Sequence, residues 1–113
     1  MNIQIFGVRK CFNTKKAERY FKERRIQYQF IDLTEKGLSK GELQSVKAAV
    51  GLNNLINSEA REYKKLNMDC ISGAGVREEI LLNNPGLYKT PVVRNGKQAT
   101  LGYEPEVWQS WED

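Results

Sequence analysis

A chain of 113 residues, 40% hydrophobic and 28% charged, has room for one domain with its own core, and its composition is neither disordered nor fibrous. It contains no histidine, which removes the commonest general base and metal ligand, and with them serine triads, cysteine–histidine dyads and the usual zinc sites. No stretch approaches the ~18 apolar residues of a membrane span and the first residues lack a signal pattern, so a cytoplasmic protein without a membrane partner is expected, its Cys11 and Cys70 kept as thiols.

Residues 1–113 read as a single domain. Ile3, Ile5 and Phe6 predict a short buried strand closed by Gly7. A loop from Val8 to Asn13 then carries Cys11, and Asn13 or Thr14 is expected to cap a helix running to about Arg25, with Ala17, Tyr20 and Phe21 facing the core. Tyr28 to Asp32 alternates as a second strand. Strand, helix and strand over this length make a βαβ unit, so the two strands should be parallel neighbours.

The middle, residues 39–84, reads as a helical insertion. Ser39-Lys40-Gly41-Glu42 has the form of a capping box before Leu43, Val46 and Val50, with Gly51 as the stop. A shorter helix is expected from near Ser58, carrying Tyr63 and Leu66. Another should run from Val76 to Asn84, with Ile80 and Leu81 inward and Pro85-Gly86 ending it, and Gly73-Ala74-Gly75 reads as a turn before it. Asn95-Gly96 between Pro91–Arg94 and Lys97–Leu101 signals a hairpin with a type I′ turn. Pro105 opens a last helix in which Val107, Trp108 and Trp111 are expected to face the core. The order predicts an α/β protein, a four-stranded mixed sheet flanked by helices in the thioredoxin-like arrangement.

The net charge of +4 is uneven: from Arg9 to Arg25, eight basic residues stand against Glu18 and Glu23, while beyond Tyr103 every charged residue is acidic. Such a basic segment beside a cysteine could attract an anion, a thiolate-bearing cosubstrate or an acidic protein, or simply form a solvated helix face. The chain carries no nucleic-acid-binding signature, and direct binding to nucleic acid is not expected. Cys11 precedes a helix whose free N–H groups favour negative charge, and Arg9, Lys10, Lys15 and Lys16 add positive potential. Both effects should lower its pKa below the free-thiol value and make it a nucleophile without a histidine base. Thr14 stands where a C-x-x-C motif would have its second cysteine, so an adduct on Cys11 must be resolved by an outside thiol or by Cys70 after movement. Cys70 itself, without basic neighbours, is expected to pack.

Gly7-Val8-Arg9-Lys10-Cys11, Thr14-Lys15-Lys16-Ala17, Asn84-Pro85-Gly86-Leu87, Thr90-Pro91-Val92-Val93 and Leu101-Gly102-Tyr103 together resemble the arsenate reductase-like family, which also contains Spx-type regulators. The resemblance covers nearly the whole chain and implies a thioredoxin-like fold, a nucleophile at Cys11 and a cis-proline at Pro91. Arginines that bind the oxyanion in arsenate-reducing members are replaced here by Thr90 and Tyr103, and Leu55–Glu59 offers no counterpart to a third, with Arg61 nearby but shifted. Weak or absent arsenate turnover is therefore expected. The expected function is that of a thiol-dependent oxidoreductase using Cys11, with Lys10, Asn13, Thr14, Lys15, Thr90 and Pro91 binding a small thiol or oxyanion substrate. Glutathione or glutaredoxin would serve as reductant, and no bound cofactor or metal is called for. The alternative implied by the resemblance is an Spx-like regulatory module that binds RNA polymerase or another protein without turnover.

Overall fold

A computed structural model of the protein describes residues 1–112. Strand β1 (Ile3–Gly7) lies inside a four-stranded sheet, flanked by β2 (Tyr28–Asp32) and β3 (Val92–Asn95), with β4 (Gln98–Leu101) on the far edge. β1 and β2 are parallel, pairing Ile3 with Tyr28 through Gly7 with Asp32, while β1–β3 and β3–β4 are antiparallel. The mixed sheet expected from the pattern of elements is the one observed.

Side chains alternate across a strand, so β1 feeds two cores. Ile3 and Ile5 join Ala17, Tyr20 and Phe21 of helix α1 (Phe12–Glu23), Val93, and Trp108 of helix α6 (Pro105–Trp111). Phe6 and Val92 point the other way, onto the segment between β2 and β3. That segment holds α2 (Lys40–Val50), α3 (Leu52–Leu55), α4 (Arg61–Lys65) and α5 (Ala74–Asn83), with single 3₁₀ turns at Met68–Cys70 and Pro85–Leu87. Its buried residues include Leu43, Val46, Leu55, Met68 and Leu81.

The capping box of α2 forms as its sequence dictates: the Glu42 N–H donates to Ser39 Oγ, the Ser39 N–H donates to Glu42 Oε1, and Gly51 ends the helix at φ +90°. Other boundaries differ from expectation. α1 starts earlier, with Cys11 itself as N-cap; Asn13 and Thr14 lie inside the first turn. The Cys11 carbonyl already accepts from the Lys15 N–H at 3.1 Å, which leaves neither side chain a capping position. Gly73-Ala74-Gly75 is a helix start and not a turn, with Gly73 as N-cap of α5.

The helix expected from Ser58 begins only at Arg61, because the Asn57 side chain accepts from the Glu59 N–H and holds Asn57–Ala60 in a turn. The short α3 was not anticipated. In the hairpin, Asn95 still pairs with Gln98, so the loop is Gly96-Lys97. Only Gly96 has positive φ (+60°), which makes a type II′ turn in place of I′. Val107 is exposed and Trp111 half-buried, so of the last helix only Trp108 is fully in the core. Its indole N–H donates to Thr100 Oγ1 at 2.7 Å.

Candidate active site

Cys11 is placed by the turn after β1: its N–H donates to the Val8 carbonyl at 2.9 Å, and its extended backbone (φ −72°, ψ 124°) turns the chain into α1. Directly below, Thr14 packs against Gly7, where any β-carbon would come within 2.6 Å of the Thr14 side chain. Gly7 is thus required by close approach, and it brings the first turn of α1 down onto the strand end. Across the site the chain enters β3 through a cis peptide between Thr90 and Pro91. The Thr90 hydroxyl donates to Cys11 Sγ at 3.1 Å, and the Thr90 carbonyl lies 3.8 Å from the same sulfur, within reach of the thiol form.

Partial burial by itself raises the pKa of this thiol. The hydroxyls of Thr14 and Thr90 and the backbone amides of Thr14 and Asn13 outweigh that effect and hold it below its ordinary value. Thr14 Oγ1 is buried and makes no hydrogen bond of ordinary geometry, which leaves the neighbouring sulfur as the group it acts on. The anticipated ammonium groups are not among the causes. Arg9 is drawn away to Asp32, 3.8 Å distant, and over the Phe30 ring; Lys16 sits over the rings of Phe12 and Tyr103. Lys10 and Lys15 are exposed, and Lys15 lines a separate groove with Glu18, Arg19 and Lys22. Neither Lys10 nor Lys15 is among the residues that line the cavity shared with Cys11.

Cys11 opens into a cleft of about 1110 Å³. Of the expected site residues, Asn13 and Thr90 line it with Cys11, Thr14 lies buried beneath, and Pro91 is buried beside the sulfur's partner Thr90. Sequence reasoning missed the rest of the lining, to which Asn54, Asn57, Ser58, Glu59, Glu104 and Val107 contribute. The polar run from Asn53 to Glu59, interrupted by Leu55 and Ile56, was its one signal: those two side chains are buried and turn the amides outward. Among the described residues lining the cleft, Lys89 is the sole cation, set against two carboxylates, and no arginine contributes. Cys70, expected to pack, is exposed on the 3₁₀ turn at Met68–Cys70, outside this cleft, and both cysteines are free thiols.

The curated relatives include the global transcriptional regulator Spx 2 of Oceanobacillus iheyensis, 26% identical over 110 residues that cover 94% of this chain and 80% of the relative. The global transcriptional regulator Spx of Staphylococcus aureus is 24% identical, over 92% of this chain and 82% of its own. Among solved structures, an arsenate reductase from Vibrio cholerae superposes with a TM-score of 0.85 at 22% identity, covering 97% of both chains. An ArsC-family-related protein from Bacteroides fragilis gives 0.83 at 21% identity, over 97% of this chain and 98% of that one. These likenesses establish the thioredoxin-like fold. The family model matches residues 6–111, from the end of β1 through α6 and so across the whole Cys11 site, and on that match the chain belongs to the ArsC family.

Proposed function

We propose that the protein is a thiol-dependent oxidoreductase in which Cys11 is the sole nucleophile and glutathione or glutaredoxin the reductant, acting in the cytoplasm. The observation that carries this reading is the sulfur at the N-cap of α1, hydrogen-bonded by Thr90 Oγ1 at 3.1 Å and open to the cleft. The Cys11 thiolate attacks one sulfur of a disulfide; the new Cys11 S–S bond forms as the old one breaks, and the electron pair leaves on the departing thiolate. One external thiolate then attacks the Cys11 sulfur of the mixed disulfide, and the reduced product leaves as its thiolate. A second attacks the outer sulfur of the new adduct, so that Cys11 leaves as thiolate and the two external thiols end as a disulfide. Thr14 stands in the resolving position, so resolution needs a thiol from outside the α1 turn.

The cleft favours a disulfide over an oxyanion. A tetrahedral oxyanion is best held by bidentate guanidinium groups, and here Lys89 alone would act as a point charge against Glu59 and Glu104. Asn13 and the Thr90 backbone are the groups placed to orient a substrate at the sulfur. The test is glutathione-coupled reduction of a small disulfide with the wild type, Cys11→Ser and Cys70→Ser, alongside arsenate as substrate. Turnover should vanish in Cys11→Ser, persist in Cys70→Ser, and be weak or absent with arsenate. An alkylation midpoint for Cys11 at or above that of a free thiol, with no turnover, would sink the reading.

The likeness to the two transcriptional regulators favours a second reading, a module that docks on RNA polymerase without turnover. It would be supported by a polymerase complex that survives Cys11→Ser.

A further inference from the structure

Resting on Cys11 as nucleophile, we propose that the exposed face of α1 is a docking strip for an acidic polypeptide segment that carries its own cysteine in a disulfide. Lys15, Arg19 and Lys22 recur at helical spacing on this face, and Lys16 stands beside them. Among the described residues none of the four has an ion-pair partner, whereas Arg9 and Arg24 of the same basic segment are paired with Asp32 and Glu112. Two acids border the strip: Glu23 shares a groove with Lys16 and Arg19, and Glu18 accepts a hydrogen bond from the Tyr28 hydroxyl at 3.0 Å, so four cations stand against two carboxylates, one of them partly engaged elsewhere.

At the end of the strip nearest the sulfur, the apolar surface is uncovered. Phe12 follows Cys11 and is 70% exposed, Tyr103 is 40% exposed, and the Lys16 ammonium lies 4.8 Å and 5.2 Å from their ring centres. An aromatic pair beside a nucleophile, continued by unpaired cations, matches a polypeptide better than a small thiol: the rings cover the chain next to its cysteine, and the cations take acids further along. From Phe12 to Lys22 the helix rises about 15 Å, the reach of roughly four to five extended residues. The other side of the sulfur opposes the same segment, because the cleft wall carries Glu59 and Glu104. Charge thus gives the partner a direction, with its acidic flank along α1 and away from the cleft.

The reaction that tests this uses synthetic peptides whose cysteine is held as a 2-pyridyl disulfide. In the Cys70→Ser protein, which removes the exposed second thiol, Cys11 thiolate attacks the peptide sulfur, the Cys11–peptide disulfide forms, and the electron pair leaves on pyridine-2-thiolate, which takes a proton and absorbs in the near ultraviolet. Peptides with glutamate, glutamine or lysine flanks are compared at low salt, each rate divided by that for free 2,2′-dithiodipyridine. The glutamate peptide should react about tenfold or more faster than the lysine peptide, and the gap should close at high salt. The gap should also collapse in the surface variant Arg19→Glu/Lys22→Glu. Equal rates for the peptides, or a preference unchanged in that variant, would overturn the proposal. So would single-stranded DNA that blocks the glutamate peptide at concentrations where a cysteine-free glutamate peptide does not, since the strip would then serve nucleic acid. Failure of Cys11 with dithiodipyridine itself would instead overturn the nucleophile reading beneath.

Discussion

Thr90 Oγ1 lies 3.1 Å from Cys11 Sγ, and a hydroxyl donating to sulfur stabilises thiolate over thiol. Thr90→Val removes that donor at nearly constant volume, so the alkylation midpoint of Cys11 should rise and its rate at neutral pH should fall several-fold. The linkage has a definite sign. Because the folded-state thiol titrates below the unfolded one, its ionisation stabilises the fold at pH above the unfolded value and is lost as pH falls through the folded value. The stability gap between wild type and Thr90→Val should therefore widen toward alkaline pH, as measured by denaturant unfolding under reducing conditions. Gly7 is the second sensitive position. A β-carbon there meets Thr14 Cγ2 and Oγ1 at 2.6 Å, and Gly7→Ala should cost about 1–3 kcal/mol, part of which Thr14→Ala in the same chain restores. A double-mutant cycle reads this directly.

The helix α1 ends without glycine. Arg25 adopts φ +58°, the Ile26 N–H donates back to the Phe21 carbonyl at 2.9 Å and the Arg25 N–H to that of Lys22 at 3.0 Å, the bonding pattern of a Schellman end. A left-handed non-glycine residue costs roughly 1–2 kcal/mol, against which glycine's greater freedom in the unfolded chain subtracts part. Arg25→Gly should accordingly stabilise the protein by up to about 1 kcal/mol in thermal or denaturant unfolding. No glycine marks this end, although the helix stops close to the expected Arg25, whereas both ends of α2 were legible from their cap residues, because Ser39, Glu42 and Gly51 do their work within their own turn. The start of α1 lies two or three residues before the expected cap for the complementary reason. Asn13 and Thr14 look like caps, but Thr14 is committed to its contact with Gly7, and that contact is tertiary.

Two cores, one on each face of the sheet, hold the molecule together, and Trp108 is the largest side chain buried in them. It packs against Tyr20, Phe21 and Tyr103, and its N–H satisfies Thr100, a residue that also lines the Cys11 cleft. Trp108→Phe keeps an aromatic ring but strands the Thr100 hydroxyl, at a cost of about 1–3 kcal/mol in denaturant unfolding. Periodicity and punctuation in the chain are enough to announce the strands, the main helices, the parallel β1–β2 unit and a cysteine before a helix, since each depends on neighbours a few residues apart. Which groups surround that cysteine is another matter. Thr90 reaches the sulfur from 79 positions away, the cleft wall comes from the segment between β2 and β3, and Arg9 is taken by Asp32 and Phe30 on the adjacent strand. Proximity along the chain suggested that cations would set the acidity of Cys11. The amides at the start of α1 do act on the sulfur as its position implies, but the ammonium groups do not. The Thr90 hydroxyl adds to those amides, because a hydrogen bond acts over about 3 Å and only the packed fold brings that donor so near.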